Sequence, residues 1–335
     1  MPSTSHDILG LGNAIVDVIA RADDDMLVAE GLAKGSMTLV DDQQAERLYA
    51  KLGQTVLVSG GSAANTCAGV ASLGARAAFI GKVSDDQLGA SFRHDLNAAG
   101  VRFATPPASG GPGTGRCMIL VTPDGERTMS TYLGASSGLG PDDVDPELVA
   151  ASGTVFLEGY LWDPPAAKAA FRRAAEIAHG AGRKVALTLS DTFCVDRHRA
   201  EFLELMRSGA VDILLANEHE AKALYETGDT ATAMAALAAD APLAVVTMSE
   251  KGAVVLSGLD RMAVPAHPVD RVVDATGAGD LFAAGFLVGL ARGMSYGDAA
   301  RLGAMAAAEV ISHMGARPER RLDALAAEVG LAVPA

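Results

Sequence analysis

The chain has 335 residues, 49% hydrophobic and 20% charged, enough for one large globular core or two smaller ones and too apolar for a disordered chain. Its 27 Lys+Arg against 41 Asp+Glu leave a net charge of −14, a field that repels nucleic-acid backbones and anionic membranes, so neither is expected as a partner. Three scattered cysteines, Cys67, Cys117 and Cys194, form no C-x-x-C, which argues against a disulfide framework or structural zinc and for a reducing compartment, the cytoplasm.

No basic, then apolar, leader opens the sequence, and residues 7–20 at once form a β-rich apolar run with glycines. Residues 55–58 are a second short extended piece leading into Gly60-Gly61. A small-residue helix is predicted over 62–73, a strand over 77–83 and a helix over 85–99. Residues 115–133 read as two alternating strands around Pro123-Asp124-Gly125, a hairpin turn. With the extended piece 36–40, that hairpin is expected to form a small sheet over one end of a larger one, a lid that excludes water. Strand-like runs then recur at 154–157, 184–189, 211–216 and 243–248, separated by Ala-rich helical stretches. This alternation predicts an α/β fold with a mostly parallel sheet covered on both faces. From Gly277 onward the chain reads as mainly helical, and its densest apolar run, 281–291, is too short to span a bilayer.

The sharpest local feature is Asp274-Ala275-Thr276-Gly277-Ala278-Gly279-Asp280, small residues opening an apolar helix. Free amides of Gly277, Ala278 and Gly279 at a helix N-terminus make an anion hole, and Asp280 beside it is placed to accept a proton from a hydroxyl nucleophile. The alternative is that Asp280 only complements the helix dipole. Gly60-Gly61-Ser62-Ala63-Ala64-Asn65 joins a strand to a helix, so it serves either as a ligand loop in which Asn65 meets a hydroxyl pair or as a turn with Ser62 as N-cap. Asp17, an acid within an apolar run, either lies at a turn or accepts hydrogen bonds from a polyol. Asn217 and Glu220 have the spacing of a capping box, while Glu220 is also a candidate to hold a divalent cation through water. Thr247, Ser249 and Gly252 offer hydroxyls and a flexible backbone after a strand, where α/β folds bind ligands. Gly10-Leu11-Gly12-Asn13-Ala14-Ile15 lacks the third glycine of a dinucleotide fingerprint, and no P-loop, zinc-protease or serine-hydrolase motif is present.

Together these residues resemble, in order over nearly the whole chain, the PfkB carbohydrate kinase family of ribokinase-like enzymes that phosphorylate sugars and nucleosides. Asp17 matches the family's substrate aspartate, residues 60–65 its Gly-Gly signature, Asn217 and Glu220 its Asn-x-x-Glu, and residues 274–280 its D-T-x-G-A-G-D signature, with Ala275 where many members carry Thr. Within the family, residues 12–17, the hairpin and the segment 309–317, taken as the end of a helix, are more similar to adenosine kinases than to ribokinases or fructokinases. The resemblance implies a three-layer sandwich over 1–335 in one domain, with a β-sheet lid formed by segments of about 14–40 and 112–134.

It also implies ATP and Mg²⁺ as cofactors, a monovalent cation such as K⁺ near Asp270 and Val272 in some relatives, and a monomer or homodimer. A nucleoside ribose would be held by Asp17, Gly61, Ser62 and Asn65 with Asn13 nearby, and the base would pack on Met37, Leu39, Leu133 and the Tyr160-Leu161-Trp162 segment. The bland reading of Tyr160 and Trp162 is core packing. ATP would lie in an outer groove bounded by Asn217, Thr247, Ser249, Gly252 and the helix carrying His313. Asp280 would take the proton of the 5′-hydroxyl as it attacks the γ-phosphate. Arg127 either swings in to neutralise phosphate charge or is a solvated hairpin residue. The competing acceptors are sugars such as ribose or fructose, or a sugar acid, for which only Lys34 and Arg116 offer positive charge. A nucleoside sensor without catalysis is the remaining alternative.

Overall fold

Fourteen strands, in chain order, carry the architecture of the computed structural model, which describes residues 4–334. They are β1 (His6–Leu11), β2 (Ile15–Arg21), β3 (Met37–Leu39), β4 (Thr55–Gly60), β5 (Ala77–Ile80), β6 (Val101–Phe103), β7 (Thr114–Val121), β8 (Arg127–Gly134), β9 (Ser152–Glu158), β10 (Lys184–Thr188), β11 (Ile213–Asn217), β12 (Leu243–Thr247), β13 (Ala253–Ser257) and β14 (Asp260–Val264). Residues 1–3, part of the N-terminal segment read for a leader, and 335 lie outside the described ones.

Nine strands form the main sheet in the order β14-β13-β12-β11-β10-β9-β1-β5-β6, parallel except for the antiparallel edge made by β13 and β14. Side chains alternate across it: Ile8 joins the apolar layer that contains the Ser62–Ser72 and Ala278–Ala291 helices, while Leu9 and Leu11 join the opposite layer under the Pro165–Gly180 and Thr192–Arg207 helices. The mostly parallel sheet with two helical layers is as expected.

The second sheet has five strands, β3-β8-β7-β2-β4, with a small core of its own around Val18, Leu27, Leu48, Met118 and Leu120. The run 7–20 supplies a strand to each sheet: the chain leaves β1 at Gly12-Asn13-Ala14 and re-enters as β2, within the lid segment expected from about 14. One reading of the sequence changes. The piece at 55–58 belongs to the lid, not to the main sheet: β4 pairs antiparallel with β2 along its whole length and adds a segment to the two expected.

β1 lies between β5 and β9, both parallel to it. The sheet grows from β1 to β6 on one side and through β9 to β12 on the other, so crossovers diverge there and a crevice opens at the strands' carboxyl ends.

Candidate active site

The carboxyl ends of the main sheet and the inner face of the lid enclose a cleft of about 1060 Å³. Strand alternation selects what the lid contributes: Asp17, Ile119, Met129 and Leu133 face the cleft, while Val18, Ala20, Met118 and Leu120 fill the lid's core. Asp17 is thus on a strand and not at a turn. Its carboxyl rests against Gly60, where a Cβ would come within 2.4 Å. Loss of hydration in this concave wall pushes it up to about 7, with Arg317 and Arg127 opposing and Asp280 reinforcing the shift.

Gly277 takes a left-handed φ of 81°, and this turns the chain into the Ala278–Ala291 helix with Asp280 in its first turn. The Asp280 carboxylate accepts a 2.6 Å hydrogen bond from Ser62 Oγ and a 3.0 Å bond from Asn65 Nδ2. Ser62 is therefore not the N-cap; Gly61 is, at φ 95°, where any Cβ would stand 2.1 Å from the Asn13 carbonyl. Burial raises the proton affinity of Asp280 above that of an ordinary carboxylate, while Ser62, Asn65 and the Arg317 charge hold it down. Among the described residues the amides of Gly277 and Gly279 have no partner inside the protein, whereas that of Ala278 donates to the Ala275 carbonyl at 3.2 Å. Of the three amides expected to form an anion hole, two are thus free, because the tight turn uses the third. Asn65 Oδ1 is buried without a partner beside this carboxylate, an acceptor left for a donor from outside the chain.

Glu158, missed in the sequence, ends β9 at the floor of the cleft and is 1% exposed. It accepts from Asn13 Nδ2 at 2.8 Å and from the Ala63 amide at 2.8 Å, fixing Asn13 and the start of the Ser62–Ser72 helix. Burial pushes it up to about 7. Its signal was a lone acid directly after the apolar run 154–157. Tyr160 lines the cleft beside it, its hydroxyl donating to the Ser190 carbonyl at 3.1 Å. Ser190 and Ser249, both on the cleft wall, hold positive φ of 73° and 51°, conformations that non-glycine residues adopt at strain.

In the outer cleft stand Asn217, Glu220, Thr247, Ser249 and Gly252, as expected. Asn217 and Glu220 do form a capping box: Asn217 Oδ1 accepts from the Glu220 amide at 2.9 Å, and the Asn217 amide donates to Glu220 Oε2 at 2.9 Å. Burial raises Glu220 to about 7. His313 is a correction. The helix ends at Val310, His313 lies one turn on from Glu309 and within 3.3 Å of it, and Ile311, not His313, lines the cleft.

Arg127 is likewise not a solvated hairpin residue. It is buried, and its Nη2 lies 2.6 Å from Asp274 Oδ2, joining the lid to the loop before the anion hole. Trp162 packs in the core against Phe171 and Phe202, the bland reading, while Met37, Leu39 and Leu133 do line the cleft. Lys34 pairs with Asp24 and Asp124, and Arg116 with Glu46 and the rings of Tyr49 and Tyr132, all away from the cleft. The one arginine among the described lining residues, Arg197, is held by both oxygens of Asp163. Asp270 and Val272 are exposed.

A carboxylate beside free helix-start amides, in a cleft at the point where strand order diverges, is the geometry of phosphoryl transfer to an alcohol. Residues 25–321 match the pfkB family carbohydrate kinases. The chain belongs to this family. This kinase is similar to a crystallised adenosine kinase from Sinorhizobium meliloti, with 56% identity and TM-score 0.92 over 97% of this chain and 99% of that one. It is also similar to a probable sugar kinase from Rhizobium etli CFN 42, with 52% identity and TM-score 0.93 over 98% and 99% of the two chains. Adenosine kinase from Saccharomyces cerevisiae is 28% identical over 91% of this kinase and 94% of its own length. The ribokinase-like α/β fold and the kinase class follow, a phosphotransferase with an alcohol acceptor.

Proposed function

We propose that this kinase transfers the γ-phosphate of ATP to the 5′-hydroxyl of a purine nucleoside, converting adenosine to AMP. The observation that carries the reading is the character of the acceptor side: two carboxylates, Asp17 and Asp280, facing a wall of Met37, Leu39, Met129 and Leu133, with Arg197 already neutralised. Such a site suits a neutral polyol bearing an apolar, planar group and repels a sugar acid or sugar phosphate. In this reading Asp17 and Asn65 hold the ribose hydroxyls, Asp280 takes the 5′-proton, and the Gly277 and Gly279 amides meet the transferred charge. The similarity to the Sinorhizobium adenosine kinase supports the same acceptor, and the retained base argues against a sensor without catalysis.

Asn217, Thr247, Ser249 and Gly252 border the place for ATP. Among the described residues no three His, Cys, Asp or Glu converge as a metal cage, which fits a magnesium ion carried by the phosphates and touched by Glu220 through water. Phosphate is then held mainly by main chain and metal, which reconciles a net charge of −14 with a triphosphate substrate. No helix among the described residues is long and apolar enough to cross a membrane, and all three cysteines are buried and free, in keeping with the cytoplasm.

ADP release with ATP and Mg²⁺ across adenosine, inosine, guanosine, ribose and fructose tests the proposal. Adenosine is expected to give the highest kcat/KM; ribose or fructose above every nucleoside overturns it. Glu220→Gln is expected to raise the magnesium concentration for half-maximal ADP release several-fold and to lower Tm by a few degrees, because the glutamine keeps the bond from the Asn217 amide but loses the one from Asn217 Nδ2, worth about 1 kcal/mol. An unchanged magnesium curve would leave Glu220 as a cap alone.

A further inference from the structure

Arg317 lies behind the acceptor wall, outside the cleft lining, on the segment after the last turn of the Tyr296–Val310 helix. Among the described residues no carboxylate oxygen lies within 4.0 Å of its guanidinium, although Arg317 is part-buried. All of its hydrogen bonds go to neutral oxygens: Nη2 donates to the Ser59 carbonyl at 2.8 Å and to Ser59 Oγ at 3.0 Å, Nε to the same carbonyl at 3.2 Å, and Nη1 to the Ala64 carbonyl at 3.2 Å. Ser59 in turn donates its amide to Asp95 Oδ2 at 2.8 Å, and its hydroxyl to the same oxygen.

A part-buried cation without a contact ion pair is costly unless charges slightly farther away repay it. The charges that do so come from three elements: Asp17 on β2, Asp280 on the Ala278–Ala291 helix and Asp95 on the Gln87–Ala98 helix. Two of the three are the carboxylates of the acceptor site. The two carbonyls that the fork grips also bracket residues 60–63, the turn that supports Asp17 at Gly60, receives Asn13 at Gly61 and aims Ser62 at Asp280.

We propose that Arg317 is a positioning residue for the acceptor side of the reaction: its planar fork clamps the turn at 60–63, and its charge stands behind the Asp17 and Asp280 carboxylates. A lysine cannot reproduce the fork but keeps the charge, and a glutamine keeps neither, so the two effects separate. The groups facing the two carboxylates also include Arg127 on β8, Cys117 on β7, Glu158 on β9 and Tyr160, and all of these remain in both variants.

The proposal rests on the acceptor reading above, so the wild-type panel comes first and fixes the acceptor; an error there shows in the wild type, whereas an error about Arg317 shows only in its variants. With that acceptor, Arg317→Gln is expected to raise its KM at least tenfold while KM for ATP stays within twofold. Without the cation Asp280 holds its proton more tightly, so the acid limb of kcat moves to higher pH. Arg317→Lys is expected to raise the acceptor KM with the acid limb in place. Equal changes in both KM values, or a fall in Tm with KM and pH profile unchanged, overturn the proposal as a merely structural role. If Arg317→Gln does not fold, Arg317→Lys decides by the KM split alone.

Discussion

Asp280→Asn is expected to retain nucleoside and ATP binding and to lower kcat by roughly 10²–10⁴, the usual contribution of a positioned general base. The substitution preserves shape, and Ser62 Oγ keeps an oxygen to donate to. Asn65 now donates to the carboxylate and leaves its own Oδ1 without a partner, so a flip of that amide lets it accept from the introduced NH₂ group. The anion-hole amides are main chain and are untouched. The loss therefore isolates proton transfer, and turnover like that of the wild type would remove the base role from Asp280. The sign of the pH dependence is a second check. Burial raises the proton affinity of Asp280, so wild-type turnover falls as pH drops through a pKa above the ordinary carboxylate range, and the variant lacks that limb.

Asp274→Asn is expected to cost about 3–5 kcal/mol of folding stability, a large part of the roughly 5–15 kcal/mol that holds a domain together. The reason is the partner left behind. Arg127 is buried against this carboxylate at 2.6 Å, and without the negative charge its guanidinium is an uncompensated cation inside the protein. Asp274 is better supported: Oδ1 accepts from the Thr276 amide at 3.0 Å and its hydroxyl at 2.7 Å, and Oδ2 from the Gly315 amide at 2.7 Å. Arg127→Met thus leaves a carboxylate that is still hydrogen-bonded, and it should cost clearly less than Asp274→Asn. Urea unfolding of the two variants measures the asymmetry; equal losses would overturn it, and a loss below about 1 kcal/mol for Asp274→Asn would show that the pair contributes little. Because the pair joins the lid to the loop before the anion hole, Asp274→Asn should also weaken turnover where the fold survives.

Much of the site was legible because its parts are local. Asp274 to Asp280 announces a glycine turn and a helix start, and Asn217 with Glu220 announces a cap, since hydrogen bonds that close within one turn depend only on neighbours in the chain. Asp17 stood out as an acid in an apolar strand, and period-two alternation carries it to the cleft face. What was ambiguous or misled was physical too. In the run 7–20 the passage between two sheets is marked only by Gly12-Asn13, a signal equally that of a turn within one sheet, because pairing partners lie far away in the sequence. Residues 55–58 have the composition of a core strand, yet β4 pairs at the edge of the lid, where Val56 and Leu57 are exposed.

The length, apolar fraction and negative charge with which the sequence opens determined a large core and made polyanion partners unexpected, and its alternation and glycine-opened helix determined the fold class and pointed to the place proposed for phosphate chemistry. The tertiary structure alone decided which partner each buried charge would meet. Ser62 reaches Asp280 across 218 residues, Asn13 reaches Glu158 across 145, and Arg127 is bound to Asp274. A carboxylate's chemistry depends on the donors and charges within a few ångströms of it, and folding sets those neighbours across sequence separations that no local pattern records.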